Sequence, residues 1–250
     1  MTGALADLTP AGRETVLALA DDEMCTGHRH AEWIGRGPFL EEDLALTSIA
    51  QDELGHAVAL YGLLTDDVDG FALRRRPSDY RCAHLVELRL DDWGDHVVRH
   101  LLYDVAEQVR WSALAGGTVP TLAGLASRVL IEEAYHERHA VAMVRRLLAA
   151  TGESRARVLA SLRRLLPLAA ALFEPVPGAP DGDDALGIGP DQQFARWVAG
   201  LDLALQGLDV PLDVDLPAGG GGRTGVRSAD FGQLQADMTE VLRLDLSATW

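Results

Sequence analysis

Apolar residues recur along this chain at alternating steps of three and four, in alanine- and leucine-rich stretches separated by short Gly, Pro and Asp clusters, with no sustained alternation of period two. Steps of three and four place side chains in one stripe along a helix, so an all-α fold is expected. A first helix is predicted over 11–34, ended by Gly35-Arg36-Gly37-Pro38, where glycine frees the backbone and proline cannot continue it. A second covers 40–64, opened by Glu41, Glu42 and Asp43, which suit the positive end of a helix. After a polar connector over 65–77, a third helix is predicted over 92–115 and a fourth over 120–150, parted by Gly116-Gly117. A fifth covers 153–173. The Pro-, Gly- and Asp-rich stretches 174–191 and 211–228 read as loops around two further helices, 192–206 and 231–246. Two long hairpins of similar length are what an antiparallel four-helix bundle requires. The expected organisation is one domain over 1–250, with a bundle over about 11–150 and a C-terminal helical extension over about 151–250.

Two of these stripes are interrupted by charge. In the second helix the stripe is Leu46, Ile49, Glu53, His56, Leu60 and Leu63; in the fourth it is Leu122, Ala126, Val129, Glu133, His136, Ala140 and Met143. Each carries a Glu-x-x-His pair at the centre of a seam that should be apolar. An ionised carboxylate taken out of water costs several kcal/mol unless something compensates it, and a metal ion is the strongest compensation available. The partner helices offer one more carboxylate each: Glu23 on the face of Val16, Leu19, His30 and Ile34, and Glu107 on the face of Val97, Asp104, Trp111 and Leu114. Each hairpin thus reads Glu, turn, Glu-x-x-His. Four Glu and two His are the ligand set of ferritin-like di-iron and di-manganese carboxylate bundles. Two divalent ions also balance four carboxylates, so the expected cofactor is two iron ions, with Mn/Fe as the alternative. With 14 Glu and 8 His, chance gives about half of one Glu-x-x-His match, so a single match would mean little. Two matches, both mid-seam and both preceded by a seam carboxylate, outweigh the alternative of solvated helix faces. Asp52, Glu132 and Asp104 stand where they can orient the ligating imidazoles.

Composition narrows the field further. The 22 basic residues are all arginine, against 38 acidic ones, for a net charge of −16, which repels nucleic acid. No apolar run approaches the ~20 residues needed to cross a bilayer, and 1–10 lack the basic start and apolar run of a secretory signal. Cys25 and Cys82 are too few for a disulfide framework. A cytoplasmic protein with neither nucleic-acid nor membrane partners is expected.

The stretch from Leu17, LALADDEMCTGHRHAEWIGRGPFLEEDLALTSIAQDELGH, and the closing RTGVRSADFGQLQADMTEVLRLDLSATW, with Trp250 at its end, resemble the C-type subunit family of the bacterial phenylacetyl-CoA epoxidase complex. That resemblance implies a ferritin-like fold, a multisubunit monooxygenase served by a separate reductase, and an aromatic acyl-CoA substrate. The C-type subunit of this family is usually a metal-free structural partner of a catalytic A-type subunit. Here Glu53 and His56 replace the family's apolar residue and Gln, and Glu23 and Glu107 stand where carboxylates are commonly absent. The run QDELGHAVALY, 51–61, is more similar to the metal-binding helix of the A-type subunit. Arg227 and Asp230 replace histidines usual in the C-type subunit. The expectation is a non-haem di-iron monooxygenase that activates O2, with ligands Glu23, Glu53, His56, Glu107, Glu133 and His136 and no catalytic side chain beyond them. The alternative is a structural C-type subunit in a homo- or hetero-oligomer with epoxidase-type subunits. Arg223 and Arg227, beside a glycine run, are candidate ligands for a CoA phosphate, or else part of a mobile loop.

Overall fold

The structure is a computed structural model and describes residues 8–178, 186–216 and 221–245. Trp250 and the end of the helix expected over 231–246 lie outside the described residues. The expected all-α class holds: the described residues form helices and turns, with no strand. The chain packs as two compact units, one of Met1–Arg89, Val176–Pro180 and Gly220–Trp250, the other of Leu90–Pro175 and Asp181–Gly219. Each is built on one long antiparallel helical hairpin, the element from which a ferritin-like bundle is made. The region beyond 150 is divided between the two, with 152–170 and 190–204 packing on the second hairpin and 221–245 on the first.

In the first unit the hairpin is α1 (Pro10–Ala31) and α2 (Leu40–Tyr61). Thr9 caps α1 by accepting from the Gly12 N–H at 2.9 Å, and Pro10 occupies the first turn, where a missing N–H does no harm. Two short helices follow, α3 (Val68–Leu73) and α4 (His84–Glu87), in the region expected to be connector and just after it. The middle of α1 is buried on every side: 18–27 has no exposed residue, although Asp21, Asp22 and Glu23 fall within it. Asp21 accepts from the Tyr61 hydroxyl at 2.6 Å, the Arg75 guanidinium at 3.1 Å and the Arg81 N–H at 2.6 Å. Asp22 accepts from the Ala83 N–H at 2.8 Å and from Arg223 at 2.7 and 2.9 Å. The expected face of α1 ends early, because the helix stops at Ala31 and Ile34 is 42% exposed.

The last described part of the chain closes over α4. Ser228 N–H donates to Glu87 at 2.6 Å, Arg227 pairs with Glu87 at 2.7 Å, and Arg89 N–H donates to Asp230 at 2.9 Å. One helix was expected over 231–246. Instead α9 (Phe231–Met238) and α10 (Glu240–Leu244) are separated at Thr239, whose hydroxyl donates back to the Gln235 carbonyl at 2.7 Å. That bond offers the backbone an alternative to helical pairing.

In the second unit α5 (Trp93–Ala115) and α6 (Pro120–Ala150) form the hairpin, with α7 (Gly152–Ala170) and α8 (Pro190–Ala204) packed on α5. Asp92 caps α5 and Thr151 caps α7 through their side chains. Trp197 of α8 is fully buried and donates its indole N–H to the Leu102 carbonyl at 3.0 Å. The expected fifth helix to 173 ends as α7 at Ala170, followed by a 3-10 turn over Ala171–Phe173. Among the described residues no helix is long and apolar enough to cross a membrane.

Candidate metal centre

Every member of the two charged stripes is buried. Leu46, Ile49, Glu53, His56 and Leu60 line the inner face of α2, with Leu63 just past its end at Tyr61 and short of the expected 64, and Leu122, Ala126, Val129, Glu133, His136, Ala140 and Met143 line that of α6. Glu23, Glu53, Glu107, Glu133 and His136 are at 0% exposure and His56 at 4%, which excludes the reading of these six as a solvated surface.

In the first unit Glu23 comes from α1, and Glu53 and His56 come from successive turns of α2. Each offers a ligand atom within 4.8 Å of the others, and His56 Nδ1 lies 3.6 Å from Glu23 Oε2. The close approach of α1 to α2 that permits this rests on Gly27. A Cβ there would stand 2.8 Å from Leu54 Cγ and 3.2 Å from the Ala50 carbonyl oxygen. The donor set of carboxylate oxygens and an imidazole suits a hard or borderline divalent ion, and at this burial such an ion supplies the charge that the two carboxylates need. These residues could hold a metal ion.

In the second unit Glu133 and His136 of α6 lie together, with His136 Nδ1 3.4 Å from Glu133 Oε1. Glu107 of α5 is turned to a partner that the sequence pattern did not point out: its carboxylate accepts from the guanidinium of Arg110, one turn further along the same face. Arg110 is 7% exposed, and its guanidinium lies 5.3 Å from the ring centroid of Tyr103. The spacing that marks the two Glu-x-x-His pairs also marks Glu107-x-x-Arg110. The signal was therefore in the sequence, hidden by the habit of placing arginine in water.

Of the residues expected to steady the ligands, Asp104 is buried with Oδ2 2.8 Å from His100 Nδ1, Asp52 is half-buried and Glu132 is exposed. His100, buried in α5, also stands 3.1 Å from His139 through its other nitrogen. Burial, followed by the neighbouring His136, pushes the His100 imidazole down to about 3. His30 and His96 are buried as well, and sequence alone did not separate them from exposed histidines. The two arginines expected at a phosphate are placed differently. Arg223 is 2% exposed and holds Asp22 and the Ala18 and Arg81 carbonyls, while Arg227 holds Glu87 and the Cys82 sulfur. Their charges are neutralised inside the first unit, because each fills a place where a buried acid would otherwise lack a counter-charge.

The chain matches the family model described as "Phenylacetic acid catabolic protein" over residues 5–250. It is 26% identical over 244 residues to the C-type subunit of 1,2-phenylacetyl-CoA epoxidase from Escherichia coli (strain K12), an alignment covering 94% of this chain and 97% of that protein.

Proposed function

Since the chain belongs to the phenylacetic acid catabolic protein family, we propose that it is the metal-binding, oxygen-activating subunit of an epoxidase-type complex, a non-haem di-iron monooxygenase acting on an aromatic acyl-CoA or a related substrate. The observation that carries this reading is the burial of six side chains that no apolar core would retain: Glu23, Glu53 and His56 in one unit, Glu107, Glu133 and His136 in the other. In this reading Glu23, Glu53 and His56 hold one of two iron ions and Glu107, Glu133 and His136 the other, or one manganese and one iron. When bound, such ions supply the reduction of O2 with electrons from a partner reductase. The chain's own part is to fix the donors and to keep water away, with Leu46, Ile49 and Leu60 flanking the pair on α2 and Ala126, Val129 and Ala140 flanking the pair on α6. His100, held neutral by burial, and Asp104 beside it would set how the second cluster is oriented. The arginines at 223 and 227 are left out of the substrate site, since their charge is already committed.

Elemental analysis after anaerobic reconstitution with excess Fe(II), followed by an absorbance spectrum in air, tests the reading. About two iron per chain, with near-ultraviolet charge-transfer absorbance of ferric iron after exposure to air, is expected, and Glu133→Ala should lose one of the two. A chain that retains no specific metal overturns the proposal. That result would favour the second reading, a structural subunit. Two observations support that alternative: the relative named as the C-type subunit, and the outward side of α2, where Leu40, Leu44 and Val58 are exposed. Under it, the chain would co-purify with a separate metal-bearing subunit.

A further inference from the structure

The two ligand clusters are alike in sequence and unlike in charge. Glu23, Glu53 and His56 bring two carboxylates and an imidazole together. In the same unit Arg29 holds Glu32 and the Glu87 carbonyl, Arg75 holds Asp21, Arg223 holds Asp22 and Arg227 holds Glu87. Glu107, Glu133 and His136 likewise offer two carboxylates and an imidazole, but a guanidinium is added, because Arg110 lies against Glu107. A divalent ion neutralises the first cluster. The second already has half its carboxylate charge balanced, so the same ion would leave it positive by one charge at a depth where unbalanced charge is most unfavourable.

Resting on the metal-site reading above, we propose that Arg110 is an internal counter-ion that makes the two sites unequal: the first divalent ion binds at Glu23, Glu53 and His56, and the second binds as Arg110 leaves Glu107. Position and environment both suit this role. Arg110 is three residues from Glu107, so a helical turn holds the guanidinium on the carboxylate's face whenever no ion is there. At 7% exposure it sits at the edge of the buried region, whereas Glu107 is wholly inside. The Tyr103 ring 5.3 Å away offers a π-face for the guanidinium on the same side of α5. Metal loading is then ordered, with Arg110 holding the empty second cluster at one net negative charge instead of two in the singly loaded protein.

Anaerobic calorimetric titration of the full chain with Mn(II), followed by electron paramagnetic resonance, reads the order directly. Two binding steps are expected, the second weaker by about tenfold or more, since one nearby opposite charge shifts a carboxylate's proton affinity by a comparable factor. The signal of free Mn(II) should fall in both steps. Arg110→Gln should tighten the second step about tenfold and leave the first unchanged, Arg110→Lys should keep the gap, and Glu107→Gln should lose the second step alone. Two equal steps in the wild-type chain, or an Arg110→Gln variant with an unchanged second step, overturn the role of Arg110 and leave the metal site standing. If Arg110→Gln loses its helical circular dichroism, the wild-type and Glu107→Gln titrations decide. A chain that binds no ion overturns the metal-site reading itself, and the proposal with it.

Discussion

An ionised carboxylate loses more on leaving water than any neutral side chain, and Glu53 has lost all of its exposure. Under chelation, the Glu53→Gln variant should therefore be more stable than the wild-type chain by about 1–3 kcal/mol, since the amide needs no counter-charge. With Mn(II) added the order should reverse, because only the wild-type chain gains binding free energy. Thermal melts with and without metal check both halves, and an unchanged order in the presence of metal would count against ligation by Glu53. His100 sets a pH dependence. Its folded pKa is lowered to about 3 from 6.5, so between those values the unfolded chain takes up a proton that the folded chain refuses. The contribution is complete above pH 6.5 and is lost progressively as the pH falls toward 3. The Glu133 carboxylate pulls the other way without overturning the effect of burial. His100→Gln should flatten this part of the acid limb, read from urea midpoints at pH 7, 6, 5 and 4.

Between helices, the distance from α1 to α2 decides whether Glu23 and Glu53 can share an ion. Gly27 sets that distance, so Gly27→Val should force the pair apart, destabilise the chain by about 1–3 kcal/mol and weaken Mn(II) binding at the first cluster. Denaturant unfolding and metal titration of the same variant test this together. The elements also show what the sequence could and could not reveal. The fourth helix expected over 120–150 is α6, Pro120–Ala150, because proline marks its first turn and one stripe continues through its length. The four carboxylates and two imidazoles of the candidate site were legible for the same reason, as polar residues where the period demands apolar ones. Asp21 and Asp22 were not, because a helix buried on all sides has no periodic contrast to betray it. Helices as short as α3 and α4 complete too few turns to show a period at all. Arg110 escaped notice because arginine is expected in water even when an acid stands three residues before it, and Arg223 was read as a phosphate ligand because its partner Asp22 lies 201 residues away in the chain.

Across the whole molecule the two units follow one plan: a central helix, a partner helix with a Glu-x-x-His pair, and shorter helices covering the far side. The first is completed from a distance, since Arg223 reaches Asp22 across 201 residues of sequence. Arg223→Ala should destabilise the chain by about 3–5 kcal/mol by leaving Asp22 buried without its counter-charge, and replacing both residues by apolar ones should recover much of that loss. Unfolding of the single and double variants in guanidinium chloride measures the difference; equal stability of Arg223→Ala and wild type would refute it.

That long reach also sets an order of events at the ribosome. α1 emerges early, with two acids along one side that find their counter-charges only when Arg75 and then Arg223 have been made, the latter after the whole of 90–175. The second unit has its sequence of 90–175 in hand before the first has its last strut. A nascent chain stalled before residue 221 thus carries a first cluster whose scaffold is open on the Asp22 side. Fastening Arg223 there is a late act of folding, and firm placement of any ion held by Glu23, Glu53 and His56 would wait for it.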